Sequence, residues 1–184
     1  ETMTDLVVIG WPGKAGLWEK LLGEKIDLIV KNLDKNLFVC HVEQKLFTHK
    51  RIVVVSPPLA EREDGFGLWL NKISKLSSEL SLPILHLGDP ETQKVIIDQK
   101  KFGNCTFIPF YNWEDPISCA EHIKEGDLII LVSAHAGYIS HTPILESLPS
   151  KLESKFPNYS RIVIYPKQFV ADDLLATDDF IFTP

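Results

Sequence analysis

Asp5-Leu-Val-Val-Ile-Gly10-Trp-Pro-Gly13 decides how the rest of this chain is read. An apolar, largely β-branched run ends in a glycine, and a second glycine follows after two intervening residues. An uninterrupted run of this length is the pattern of a strand buried on both faces of a parallel sheet. The connection over 11–22 carries Trp11 and Trp18. Gly23 then precedes Glu24 and a stretch with Ile26, Ile29, Val30 and Leu33 at helical spacing. Glycines let backbone N–H groups approach an anion, and a helix N-terminus adds a positive dipole. Strand, glycine-spaced loop and helix together outline a phosphate cradle. Leu37–Val42 is the next strand, and the polar stretch 45–50 is a linker.

A fresh unit opens at Arg51. Ile52–Ser56 reads as a strand stopped by Pro57-Pro58, and residues 65–80 place Phe66, Trp69, Leu70, Ile73, Leu76 and Leu80 on one helical face. Ile84–Leu87 is a strand, and Asp89-Pro90 opens a helix with Asp as N-cap. Thr106–Phe110 is a strand, and Asp115-Pro116 opens a helix that Gly126 closes. Leu128–Val132 is the most apolar strand. Residues 144–156 predict a helix whose start Pro149 marks, and Arg161–Tyr165 is the last strand. Strands alternating with helices imply a parallel sheet covered on both faces. The expected fold is α/β: a doubly wound, five-stranded parallel sheet forming a complete unit over 51–168. Residues 1–44 hold the last part of a first unit, and 169–184 form an acidic tail with Phe180–Phe182 as a possible edge strand.

The second unit repeats the loop in worn form. Ser133-Ala134-His135-Ala136-Gly137 follows Leu128–Val132, so that Ala134 and Gly137 stand where Gly10 and Gly13 stand. Ser147 and Leu148 occupy the place of Gly23 and Glu24. Gly10, Gly13, Gly23, Glu24, Ser133, His135, Gly137 and Ser147 are the candidate binding residues.

The spacing Gly10-x2-Gly13-x9-Gly23 resembles the nucleotide loop of the universal stress protein family, in which a Ser or Thr follows the last glycine. Glu24 stands there instead. An ionised carboxylate cannot donate a hydrogen bond and repels a phosphate. The family's strand-end Asp is also missing from Ser56-Pro57-Pro58-Leu59. More narrowly, Asp5–Gly13, RIVVVSPPLAEREDGF over 51–66, Gly126–Ala134 and SHTPILESLPSKLESKF over 140–156 are similar to the cytosolic tail of bacterial monovalent cation:proton antiporters. The resemblance implies a stress-protein-like fold of the adenine nucleotide hydrolase-like group, two units in tandem, and an upstream transmembrane antiporter. It implies a regulatory region at the cytosolic face of the inner membrane, itself non-catalytic, with a nucleotide-sensing or dimerisation role. The cofactors it brings into view are ATP, AMP or a cyclic dinucleotide, with none certain. It also implies a homodimer that uses the edge of the last strand, Arg161–Tyr165. A stand-alone nucleotide-binding stress protein and a purely structural dimerisation domain are the rival expectations. Ligands of doubly wound sheets bind beyond the carboxyl ends of the strands, at the point where strand order reverses. Both loops, 10–24 and 133–148, are expected on that ligand-accepting edge.

Composition sets the outer limits. The 184 residues are 45% hydrophobic and 24% charged, a globular balance that excludes disorder and coiled coil. No apolar run approaches the ~18 residues of a membrane span, so this chain inserts in no bilayer. Nineteen basic against 25 acidic residues give a net charge of −6, which argues against a nucleic-acid partner. Cys40, Cys105 and Cys119 form no CxxC pair and read as reduced core residues. The six histidines match no metal spacing, so no metal site is expected. Ser133, Ser140 and Ser147 lie near His135 and His141, but no Gly-x-Ser-x-Gly elbow makes one of them a nucleophile. An enzyme would need a base or metal carboxylate beside the loops, and Glu24 is the one candidate. Glu61, Glu63 and Asp64 precede an amphipathic helix and read as compensation of its dipole.

Overall fold

The computed structural model describes residues 6–10, 28–29, 33–134 and 136–167. Among them are strands β1 (Leu6–Gly10), β2 (Asn36–His41), β3 (Arg51–Ser56), β4 (Ile84–Gly88), β5 (Cys105–Pro109), β6 (Asp127–Val132) and β7 (Arg161–Tyr165). They make one sheet in the order β1-β2-β7-β6-β3-β4-β5. Three α-helices accompany them among the described residues: α1 (Phe66–Leu80), α2 (Pro90–Asp98) and α3 (Ile144–Lys155). Every neighbouring pair is parallel except β2 with β7.

The apolar strands run without polar interruption because both faces are covered. On one face Leu37, Val53, Val55, Leu85, Ile129, Leu131 and Val163 meet Leu145, Leu148 and Leu152 of α3. On the other, Ile52, Val54, Leu128, Ile130, Val132 and Ile164 meet Phe66, Trp69, Leu70 and Ile73 of α1 and Ile96 of α2. The sheet is thus a doubly wound α/β sheet, as the alternation of strands and helices requires.

The expected five strands are seven, because β1 and β2 join the same sheet instead of standing apart. The joint is antiparallel: Phe38 faces Ile164, with Leu37 opposite Tyr165 and Val39 opposite Val163. The outer edge of Arg161–Tyr165, expected to hold a second molecule, is therefore filled by this chain's own β2. The register of that joint is the one a repeated unit would have. If Gly10 is equivalent to Ala134, then Val8 is equivalent to Val132. Val8 pairs with Phe38 and Val132 pairs with Ile164. Phe38 and Ile164 are each other's partners, so a local two-fold axis passes between them and exchanges the two units. It also reverses one unit relative to the other. The carboxyl end of β1, at Gly10, lies at the opposite rim of the sheet from the carboxyl end of β6. Each loop leaves its own unit's carboxyl end, but the two do not share one ligand-accepting edge.

Two helices differ from expectation. Residues Pro116–His122 form a 3-10 helix, because the Ser118 hydroxyl donates back to the Asp115 carbonyl at 2.7 Å and tightens the turn. The α3 helix starts at Ile144 and runs through Pro149. Leu145, Leu148 and Leu152 recur on its buried face, and that burial outweighs the one backbone bond the proline removes. The α2 start is as read: Asp89 Oδ1 accepts the Glu91 N–H at 2.9 Å. Of the expected helix over 24–32, Leu28 and Ile29 are described, helical and exposed. The rest of it, the 11–22 connection and the 169–184 tail lie outside the described residues.

Candidate functional site

Strand order reverses between β3 and β6, so the crevice beyond Ser56 and Val132 is where a ligand of this fold would sit. Two loops build it. The first leaves β3 through Pro57-Pro58, turns at Leu59 in a left-handed conformation (φ 64°), and forms a 3-10 turn over Ala60–Arg62 before Glu63 and Gly65. Gly65 has no room for a side chain: a Cβ there would lie 2.7 Å from Asn36 Oδ1 and 2.9 Å from Pro166 Cβ. The second loop leaves β6 through Ser133 and Ala134, both buried, and reverses at Gly137 with φ 96° before α3.

The two loops are tied by a buried carboxylate. Glu63, 5% exposed, accepts from the Ser140 backbone N–H at 2.8 Å and from the Ser140 hydroxyl at 2.5 Å, both on Oε1. Burial, and after it the nearby Glu63 charge, raises the Tyr138 phenol above its ordinary pKa. On the other side Glu61 Oε2 accepts from the Thr92 hydroxyl of α2 at 2.6 Å. So the Glu61 and Glu63 carboxylates are hydrogen-bonded to neighbouring elements, contacts that their position before α1 does not reveal. The donors of the second loop already hold an anion, and that anion belongs to the protein.

Beneath the crevice lies a polar relay with no exposed member. Ser56 Oγ and His86 Nε2 are 2.9 Å apart, and His86 Nδ1 is 3.3 Å from Gln93 Nε2. Both ring nitrogens of His86 are thus engaged by neighbouring side chains. Gln93 also reaches the carbonyls of His86 (3.2 Å) and Ile108 (2.8 Å). Full burial pushes the His86 pKa down to about 3, so the ring is neutral. Gly88 is required beside it, since a Cβ would lie 2.6 Å from His86 Cε1 and 2.9 Å from Ser56 Oγ.

The candidates read from sequence fall into three groups. Ser133 and Gly137 lie in the second loop, and Ser133 N continues the pairing with β7 by donating to the Ile164 carbonyl at 2.8 Å. Ser147 sits apart on the exposed side of α3, where its hydroxyl donates to the Ile144 carbonyl at 3.1 Å. Gly10 ends β1 at the far rim, and a Cβ there would meet nothing within 4 Å among the described residues. Gly13, Gly23, Glu24 and His135 lie outside the described residues. The Ser140 and Ser147 hydroxyls, weighed as nucleophiles, donate to Glu63 and to a backbone carbonyl respectively. His141 Nε2 lies 3.1 Å from Glu146 Oε1. Sequence reasoning missed Glu63–Ser140 and Ser56–His86–Gln93. The first joins residues 77 apart and the second joins residues 30 apart, and no local pattern spans such distances.

Among the described residues, no three His, Cys, Asp or Glu side chains converge to hold a metal, and no helix is long and apolar enough to cross a membrane. All three cysteines are free thiols.

Fold and rim together define a doubly wound α/β protein resembling the universal stress protein fold, with the two loops of its switch point tied by Glu63 and Ser140. Among solved structures, a universal stress protein from Archaeoglobus fulgidus is similar over 89% of this chain, with a TM-score of 0.50 and 13% identity. This chain spans 61% of that structure's length. At such identity the likeness concerns the fold alone. No protein-family profile matches this sequence, and no curated protein matches it.

Proposed function

We propose that this chain is a non-catalytic regulatory region built from stress-protein-like units, serving a cation:proton antiporter at the cytosolic face of the inner membrane. The observation that carries the regulatory, non-catalytic part is Glu63 seated on the Ser140 donors. A nucleotide phosphate entering the second unit at Ser140 would have to displace a buried carboxylate already seated on those donors. The Ser56–His86 pair supports the same reading, since its histidine is fully buried and engaged at both ring nitrogens. The transporter context is supported by the sequence resemblance of 51–66, 126–134 and 140–156.

A thermal-shift and calorimetric series with ATP, AMP and cyclic dinucleotides, with and without magnesium, tests the reading. The expected result is no binding at the second unit and no turnover. Turnover of any of these compounds refutes it. The transporter context has its own test in the reading frame ahead of Glu1: hydrophobic spans there support it, and a soluble reading frame refutes it. A second reading, a nucleotide sensor, is favoured by one observation: Gly10 ends β1, and among the described residues nothing lies within 4 Å of a Cβ built there. In that case a nucleotide shifts the melting temperature of the protein and Gly10→Val removes the shift.

A further inference from the structure

Asn36 opens β2 and is fully buried, a rare place for an amide side chain. The β2–β7 ladder ends with Leu37 opposite Tyr165, and by the same register Asn36 comes next, opposite Pro166, which has no N–H to give. The Asn36 side chain takes over there: its Oδ1 accepts the Lys167 N–H at 2.8 Å. The Lys167 carbonyl in turn accepts the Gly65 N–H at 2.9 Å. Gly65 stands just past Glu63, whose carboxylate holds the Ser140 N–H and hydroxyl. Asn36 Nδ2 is buried with no hydrogen-bond partner. An unsatisfied buried donor destabilises, so what this position supplies to the fold is its acceptor.

We propose that these contacts form a conformational latch. Asn36 of the first unit is the catch, and the backbone at Lys167, the loop after β3 and the loop after β6 open and close on it as one cooperative element. The links join residues 131 apart at one end and 77 apart at the other. Gly65 makes the middle link possible, since a Cβ there would take the space of Asn36 Oδ1 and Pro166 Cβ. Loss of the Lys167 link releases Gly65 and loosens the seat of Glu63. Loss of the Ser140 link relaxes the same loop from the other end, and coupling of this kind is reciprocal. A displacement of β2 therefore reaches both switch-point loops with no ligand bridging them. The latch is independent of the transporter reading.

Native-state amide hydrogen exchange on the full chain tests it. The amides of Gly65, Ser140 and Lys167 should share one opening equilibrium, reached more readily than that of the fully buried Val54 and Ile130 in the central strands. Asn36→Leu removes the acceptor together with the unpartnered donor at similar volume, so Val54 and Ile130 should keep their rates. Gly65, Ser140 and Lys167 should each exchange about tenfold faster, the loss of one ordinary hydrogen bond. From the other end, Ser140→Ala should speed Lys167 by a similar factor, and this arm stands even if Asn36→Leu does not fold. Acceleration confined to Lys167 in Asn36→Leu overturns the proposal, as does an unchanged Lys167 rate in Ser140→Ala. Equal acceleration of Val54 and Ile130 makes the effect global and overturns it too. Nucleotide binding enters none of these measurements, so failure of the latch leaves the regulatory reading to its own test.

Discussion

Replacing Glu63 isolates the contact that ties the two loops. Its carboxylate accepts two hydrogen bonds from Ser140 inside the protein, at 2.8 and 2.5 Å. Hydrogen bonds to a charged group are worth about 1.5–3 kcal/mol each, and a buried donor left without a partner costs about 1–3 kcal/mol. Glu63→Ala strands both donors of Ser140, and the expected loss is about 3 kcal/mol, or about 6–12 °C in Tm for a chain of this size. Glu63→Gln keeps a neutral acceptor and should lose about half as much. Ser140→Ala leaves the backbone donor in place and should cost about 1.5 kcal/mol. The double variant should be no worse than Glu63→Ala, because the hydroxyl removed has already lost its acceptor. The coupling is then about 1.5 kcal/mol. Urea unfolding at constant m-value measures all four proteins. Effects that add to within about 0.5 kcal/mol would refute the claim that the carboxylate and the loop form one unit.

Three further outcomes follow from the same geometry. His86 is neutral in the native protein down to about pH 3, while an unfolded histidine protonates near 6.5. Between those values the unfolded chain binds more protons, so stability falls as pH drops, by about 2 kcal/mol from pH 7.5 to 5. Urea midpoints against pH should show this slope, and His86→Gln should lack that part of it. Gly65→Ala forces a Cβ against Asn36 Oδ1 and Pro166 and should destabilise by about 1–3 kcal/mol, read as a lower Tm. Burial raises the thiols of Cys40 and Cys119 to about 11 and of Cys105 to about 12. Labelling with a disulfide reagent at pH 8 should therefore be slow in the native protein and complete in guanidinium.

The sequence alone determined the doubly wound α/β class, since apolar runs such as Leu128–Val132 alternate with helical faces such as Phe66–Leu80. It also placed the Asp89 cap, whose carboxylate accepts the Glu91 N–H. These are local signals, carried by residues within a few positions of one another. Tertiary structure alone decided that β2 lies antiparallel on β7, which sends the two loops to opposite rims and fills the edge of Arg161–Tyr165. It alone decided that α3 continues through Pro149, because burial of Leu148 and Leu152 overrides local propensity. It alone turned Glu63 from a helix-start acid into the anion held by Ser140. Each of those outcomes depends on the free energy of contacts between residues far apart in the chain, and periodicity and spacing carry no record of such contacts.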